Sequence, residues 1–386
     1  MAGSDANSIQ LSYKKEGTFK TNPAGTGWKI IRHTGESIAS NGEYTRSAEI
    51  ASDRQTPDII QTSIGADGDA NFELSYGAYD DWMEWGLLSA VWTTQAAVAT
   101  AVTNVTVASP ANTYTTAATW TNTPAVGSWI YVSGFANAAN NGFKQVTASS
   151  TTVVTVSQTL TAEAAGATVT LVNLAEIKNG TTLSTMHIEK AYTDIASLYA
   201  FFAGMAIEGM KLTIPTSGIC TGSFSFIGAR ETSSASAAGS GYTAAPTNPI
   251  INSISGIAEL LENGSAINAT EVGIEVKNNL RARLQIGTLG AESIGKGTCE
   301  VKGSLKMYFA TSTLMDKYLN ATASSLVIRY ADSATDGYLI HIPRIRYTSG
   351  KRVAGSLNSD IIADLAWEAM KDPTFGYTIK ICKYAI

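Results

Sequence analysis

Phe72-Glu73-Leu74-Ser75-Tyr76, followed by Asp80-Asp81-Trp82-Met83-Glu84-Trp85-Gly86-Leu87-Leu88, reads as a half-buried strand running into a short helix. Apolar and polar residues alternate through the first part, as a strand with one buried face requires. The acidic pair Asp80-Asp81 stands ahead of the apolar helix face, where carboxylates favour the N-terminal dipole. The same order returns near the other end of the chain. Leu305-Lys306-Met307-Tyr308-Phe309 precedes Thr311-Ser312-Thr313 and the helix-like Leu314-Met315-Asp316-Lys317-Tyr318-Leu319. Two further blocks keep step: Tyr199-Ala200-Phe201-Phe202 with Tyr338-Leu339-Ile340-His341, and Phe224-Ser225-Phe226 with Leu365-Ala366-Trp367. Four blocks in one order predict a mainly β chain built from two copies of one unit, each with a short helix.

The spacing locates an insertion. Roughly 110 residues separate Leu88 from Tyr199, against about 17 between Ala321 and Tyr338, so the first copy carries an extra domain. That stretch is rich in Thr, Val and Ala. Strand-like runs recur at Val102–Val107, Trp129–Val132, Thr151–Val156 and Ala167–Val172, parted by Pro110, Pro124-Ala125-Val126-Gly127 and Asn140-Asn141-Gly142. Such a series predicts a small β-sandwich. Being absent from the second copy, it is expected to project as an autonomous module, so that removing 94–173 would leave the rest intact.

The chain therefore divides into a first unit at 1–92 and 179–232, an inserted β-sandwich at 93–178, a linker at 233–249 and a second unit at 250–386. Residues 1–35 show no sustained period and read as an N-terminal arm that reaches a neighbour. The run from Ser233 to Asn248, rich in Ser, Ala, Gly, Thr and Pro, has linker composition. Glu43–Ile50 is a strand candidate, Ser52–Gln61 a polar loop, and Gly65-Ala66-Asp67-Gly68-Asp69 a turn between strands.

Composition limits the function classes. Of 386 residues 44% are hydrophobic and only 15% charged, with a net charge of −5. Sparse charge suits surfaces covered by neighbours, and the acidic balance gives no global attraction to nucleic acid or anionic membrane. No apolar run has the length of a membrane span, and Met1-Ala2-Gly3-Ser4-Asp5-Ala6 lacks signal-peptide features, so residence in a cytoplasm is expected. Without secretion the sequons at Asn104 and Asn320 are incidental. The cysteines Cys220, Cys299 and Cys382 are far apart and expected to be reduced and mostly buried.

Chemistry-bearing patterns are missing. His33, His187 and His341 each stand alone without a second ligand at metal-binding spacing, and read as packed or surface residues. Gly65–Asp69 falls short of a calcium loop, and Gly239-Ser240-Gly241 has neither the Lys nor the helix of a phosphate loop. Trp82 and Trp85, at helix spacing, read as core rather than a sugar platform. The expectation is a non-enzymatic protein with no catalytic, cofactor or metal residues.

Several blocks together resemble the major tail tube proteins of long-tailed bacteriophages. They are Arg46–Gln55, Gly68–Gly77, Gly222–Gly228, and Asn278-Asn279-Leu280-Arg281 leading to Ile286–Gly290, while Val132–Ala138 in the insertion looks like a phage decoration module of Ig-like type. The resemblance implies tail-tube-like β-sandwich or barrel units whose inner sheets join across subunits into a hollow cylinder of stacked rings. Two folds per chain imply a trimeric, pseudo-hexameric ring. The implied partners are further copies of the chain, the tape measure, tail terminator and tail tip proteins, and double-stranded DNA passing without specific binding during ejection. The implied location is the virion tail, assembled in the host bacterial cytoplasm. A wall of neutral or acidic polar side chains would let phosphates pass. Glu73 and Ser75 fit such a wall, whereas Glu300, Lys302, Ser304 and Lys306 give a mixed strand. Two rivals are a β-rich surface-fibre or polysaccharide-binding protein, and a depolymerase, which would need carboxylate or Ser/His constellations.

Overall fold

The structure, a computed structural model, describes residues 3–333, 335–353 and 357–386. Outside the insertion the main strands are β1 (Ile9–Lys15), β2 (Ala39–Arg46), β3 (Ile59–Glu73), β4 (Met186–Tyr192), β5 (Tyr199–Ile214), β6 (Thr221–Gly228) and β7 (Arg230–Ser234). They continue as β8 (Ile257–Glu262), β9 (Glu271–Lys277), β10 (Glu300–Tyr308), β11 (Ser324–Ala331), β12 (Asp336–Val353), β13 (Ile362–Ala369) and β14 (Lys380–Ala385). Helix α1 spans Asp80–Gly86 and α2 spans Thr313–Leu319. The chain is mainly β, with antiparallel pairing throughout these strands.

Two compact units emerge, residues 1–89, 180–253 and 271–304 in one, and 90–179, 254–270 and 305–386 in the other. These cuts differ from the boundaries that block order suggests. β9 and the hairpin beyond it lie in the first unit, and the insertion lies in the second.

In the first unit β5 is the organising strand. Its first half lies between β4 and β7, its second half between β6 and β9, and β3 flanks β6 in turn. β1 pairs with β4 from Ile9↔Tyr192 to Lys15↔Met186, and its Leu11 and Tyr13 are buried. The N-terminal segment is thus a core strand and not a free arm, because it satisfies the edge of β4. Helix α1 covers the apolar sheet face. Trp82 sits edge-on to Phe224 at 5.3 Å and Phe226 at 5.1 Å, and Phe72 stacks on Phe224 at 4.9 Å. Trp82 and Trp85 are both buried, as core residues. Burying a side chain of that size contributes roughly 2–3 kcal/mol. Asp80 and Asp81 occupy the first helical turn, but Asp81 also accepts from the Tyr13 hydroxyl at 3.1 Å and pairs with Lys29 at 2.5 Å, tying α1 to β1.

Gly65–Asp69 lies inside β3 and is not a turn. Gly68 has φ +133° and a Cβ there would strike the Ser37 and Ile38 backbone, so glycine serves close strand approach rather than chain reversal. The 233–248 run is also held down. Ala238 N–H and the Tyr242 hydroxyl donate to Glu189 at 2.6 and 2.9 Å, and Arg32 donates to the Asn248 carbonyl at 2.8 Å. Buried Glu189 needs those donors.

The second unit repeats the pairing scheme. β8 pairs with β11, β11 with the first half of β12, and β12 with β14 along its first half and β13 along its second. The irregularities recur too. β5 skips Glu208 between Ile207↔Phe226 and Gly209↔Ser225, and β12 skips Thr348 between Tyr347↔Trp367 and Ser349↔Ala366. A second break falls between Met186 and Ile188 in β4 and between Ser324 and Leu326 in β11. Aligning these breaks sets Phe224–Phe226 on Leu365–Trp367, as the blocks suggest. It sets Tyr199 on Leu339, one residue away from the block match. Leu74 N–H donates to Cys220 O at 2.8 Å and Phe309 N–H to Ile361 O at 2.9 Å, which moves the β3 and β10 match by two residues and keeps the same face.

Residues 96–173 form a seven-stranded sheet with a core of its own that includes Tyr114, Trp120, Ile130, Val146 and Leu171. The run Val102–Val107 is two strands, Ala96–Val102 and Val105–Ala108, separated by a turn. The module is not free-standing. Trp129 and Leu174 share a second buried cluster with Val327, Leu339, Cys382 and Tyr384, with Tyr131 and Phe143 packed against it.

Candidate functional site

The sheet of the first unit turns one face to the core and leaves the other polar. Strand alternation puts Ala70, Phe72, Phe224, Phe226, Met210, Leu212, Ile274 and Val276 inside. The opposite parity brings together Asp67, Asp69, Asn71 and Glu73 from β3, Ser223 and Ser225 from β6, Lys211 and Thr213 from β5, and Glu271, Glu275 and Lys277 from β9. The register sets Ser225 beside Asp69, Ser223 beside Lys211, and Lys211 beside Glu275. Carboxylates outnumber lysines on this surface, and half-buried Ile227, opposite Asp67, is its large apolar side chain. Small residues keep it shallow: a Cβ on Gly209 would come within 2.8 Å of Ser225 Oγ and 3.0 Å of the Val276 carbonyl.

Of the residues singled out as wall candidates, Glu73 belongs to this face and Ser75 does not. Ser75 is fully buried beyond the end of β3, where it accepts from Arg32 at 3.2 Å. Glu300, Lys302, Ser304 and Lys306 alternate on β10 with buried Val301 and Leu305, so they too share one face. Sequence reading missed Asp67, Asp69, Glu271 and Glu275. Their period-two spacing, Asp67-Gly-Asp69 and Glu271-x-x-x-Glu275, was the available signal, hidden in one case by glycines that read as a turn.

Groups that could do chemistry are committed elsewhere. His187 Nδ1 lies 2.6 Å from buried Glu16, which also accepts from Gly204 N–H at 2.8 Å and the Thr185 hydroxyl at 2.7 Å. His341 Nδ1 lies 2.9 Å from the Tyr377 hydroxyl, and burial, reinforced by Lys380, pushes its imidazole down to about 3. Burial pushes the Cys220 and Cys299 thiols up to about 11 and Cys382 higher still, leaving protonated thiols at neutral pH. All three cysteines are free. Among the described residues no group of three His, Cys, Asp or Glu is placed to hold a metal ion, and no helix is long and apolar enough to cross a membrane.

Two strand hairpins end in exposed apolar tips. Ile50, Ile59 and Ile60 project where β2 meets β3, and Leu284, Ile286 and Leu289 project between the short strands Arg281–Arg283 and Ser293–Gly295. Both hairpins use one register, Thr45↔Ile60 in the first and Arg281↔Gly295 in the second.

The polar sheet face and the two apolar-tipped hairpins are the features that stand out from the packed core. A family model described as phage tail tube protein matches residues 6–369. No curated protein matches the chain.

Proposed function

Since this chain belongs to the phage tail tube protein family, whose members are structural virion components, we propose that it builds the wall of the tail by stacking as rings. On this reading the fold is duplicated, each half supplies one wall segment, and three chains complete a ring of six segments. The observation that carries it is the shared register of β5 with β12 and β6 with β13, down to the skipped residues Glu208 and Thr348. Independent strand sets do not share bulge positions by chance, since each bulge is fixed by local packing.

The polar face of β3, β6, β5 and β9 is assigned to the lumen. Its carboxylate excess supports passage of double-stranded DNA without retention, because wall lysines that released counterions would hold the phosphates. The exposed hairpin tips with Ile50 and Ile286 supply apolar surface that ring stacking would cover. The module at 96–173 is read as an Ig-like decoration domain, its seven strands and separate core supporting that class. The role is non-enzymatic and needs no cofactor. Tape measure, terminator and tip proteins are the remaining partners, met at the lumen and at the tube ends.

Negative-stain microscopy of concentrated protein tests assembly, with hollow tubes expected; a monomer at every salt and temperature overturns the reading. Mass measurement of one released ring tests the count. Three chains are expected, and six would overturn the equivalence of the two halves.

A further inference from the structure

The second half of β5 has a strand on each edge, β6 on one and β9 on the other. The corresponding half of β12 has only one. β13 pairs with it from Ile345↔Ala369 to Val353↔Ile362, β11 reaches no farther than Ile345, and β14 covers Asp336 to His341. Among the described residues no strand borders 346–352 on the remaining edge. An uncovered run of backbone donors and acceptors in the middle of a long strand is a template for another chain.

The strand that fills the matching place inside the chain identifies the occupant. β9 corresponds to the segment that opens β2. Thr34 N–H donates to Asn71 O at 2.9 Å and Thr270 N–H to Lys306 O at 2.7 Å, the same bond in the two strand sets. The shared register of the two hairpins continues that match, which sets Glu275 on Ala39, Val276 on Ser40 and Lys277 on Asn41. β2 is exposed at every residue and, among the described residues, its strand pairing is with β3. One half of the fold thus has its edge filled by a strand of the β9 type, and the other half has an empty edge and an unused strand of the same type.

We infer that β2 of a second copy of this chain adds to the open edge of β12, antiparallel, in the register that β5 and β9 use within the chain. Lys211↔Glu275 then becomes Lys351↔Ala39, Met210↔Val276 becomes Gly350↔Ser40, and Gly209↔Lys277 becomes Ser349↔Asn41. Charge agrees with this pairing. The open edge carries exposed Arg346, Lys351 and Arg352, and the incoming hairpin carries exposed Glu43 and Asp67. The inference rests on the ring-forming reading above and adds which edges meet and in what register.

The test is oxidative cross-linking of assembled full-length protein carrying Lys351→Cys with Ala39→Cys. The expected result is covalent multimers on a non-reducing gel, with Lys351→Cys plus Ser40→Cys, whose side chains point to opposite faces, remaining monomeric. Lys211→Cys with Glu275→Cys reports the same geometry within one chain and should close in every preparation. Tubes that form while the intrachain pair closes and Lys351→Cys/Ala39→Cys does not would overturn the edge pairing and leave the tube reading standing. Wild-type protein that forms no tubes removes both. If the double variant fails to assemble, amide exchange on the wild type decides: residues 39–42 and 348–352 should slow at least about tenfold on assembly as their edges become hydrogen-bonded, and unchanged exchange overturns the inference.

Discussion

The indole of Trp129 meets the imidazole of His341 edge-on, with ring centroids 5.4 Å apart and planes at 77°. This contact joins the inserted module to the sheet formed by β11, β12 and β14. Around it, Phe143 lies 4.7 Å from Tyr384, and the Lys380 ammonium donates to the Gly127 carbonyl at 2.9 Å. Trp129→Ala should lower the stability of the second unit by about 3–5 kcal/mol, the usual cost of emptying a large buried aromatic site. Urea unfolding followed by tryptophan fluorescence measures it. Deleting 94–173 should expose Val327, Leu339 and Tyr384 to water and give aggregated protein, read by size-exclusion chromatography; a soluble, folded deletion would show that the shared cluster is dispensable.

Acid should weaken the same region. His341 stays neutral in the folded chain down to about 3, whereas an unfolded histidine protonates near 6.5. Between those values the unfolded chain binds the extra proton, so this contribution is fully present above 6.5 and lost as pH falls. The slope from one such group is about 1.4 kcal/mol per pH unit. Comparing wild type with His341→Asn in urea melts at pH 7, 6 and 5 isolates it from the carboxylates, and the variant should show a flatter profile.

Glu262 is the buried acceptor that holds α2 to the second unit. It pairs with Lys317 at 2.6 Å, accepts from the Ser324 hydroxyl, and accepts from Tyr347 at 3.3 Å. Glu262→Leu leaves an ammonium and two hydroxyls without their acceptor and should cost about 3–5 kcal/mol. Replacing Lys317 by Met together with Glu262→Leu should recover much of that loss, because the uncompensated charge is gone. Denaturant midpoints of the single and double variants check the sign.

Reversing charge on the polar sheet face should change transit and not folding. Asp69→Lys with Glu275→Lys places cations next to Ser225 and Lys211; Asp69 is exposed and Glu275 half-buried, and the like charge set opposite Lys211 should cost up to about 1 kcal/mol without unfolding the sheet. Assembled tubes of the double variant should retain double-stranded DNA fragments at low salt and release them as salt rises, since each phosphate contact adds roughly 0.9 to the slope of log K against log salt. Retention equal to wild type across the salt series would overturn the proposal that this face lines a lumen.

Much of this architecture was legible because it is local. Period-two alternation at Phe72–Ser75 and the apolar stripe of Trp82 and Trp85 depend on residues within a few positions of each other, so the sequence by itself determined a mainly β chain with short apolar-faced helices. Tertiary structure decided which strand meets which. Nothing near Leu11 or Tyr13 announces that β1 will close the edge of β4, because that pairing depends on residues about 180 positions away. Gly65–Asp69 carries turn residues, yet Gly68 is there to let β3 pass close to Ser37. The block match at Tyr199 was one residue off, since the skipped residues at Glu208 and Thr348 are backbone events with no side-chain signature. The assignment of β9 to the sheet of β5, and with it the empty edge on β12, follows only from long-range hydrogen bonding, which local periodicity does not encode.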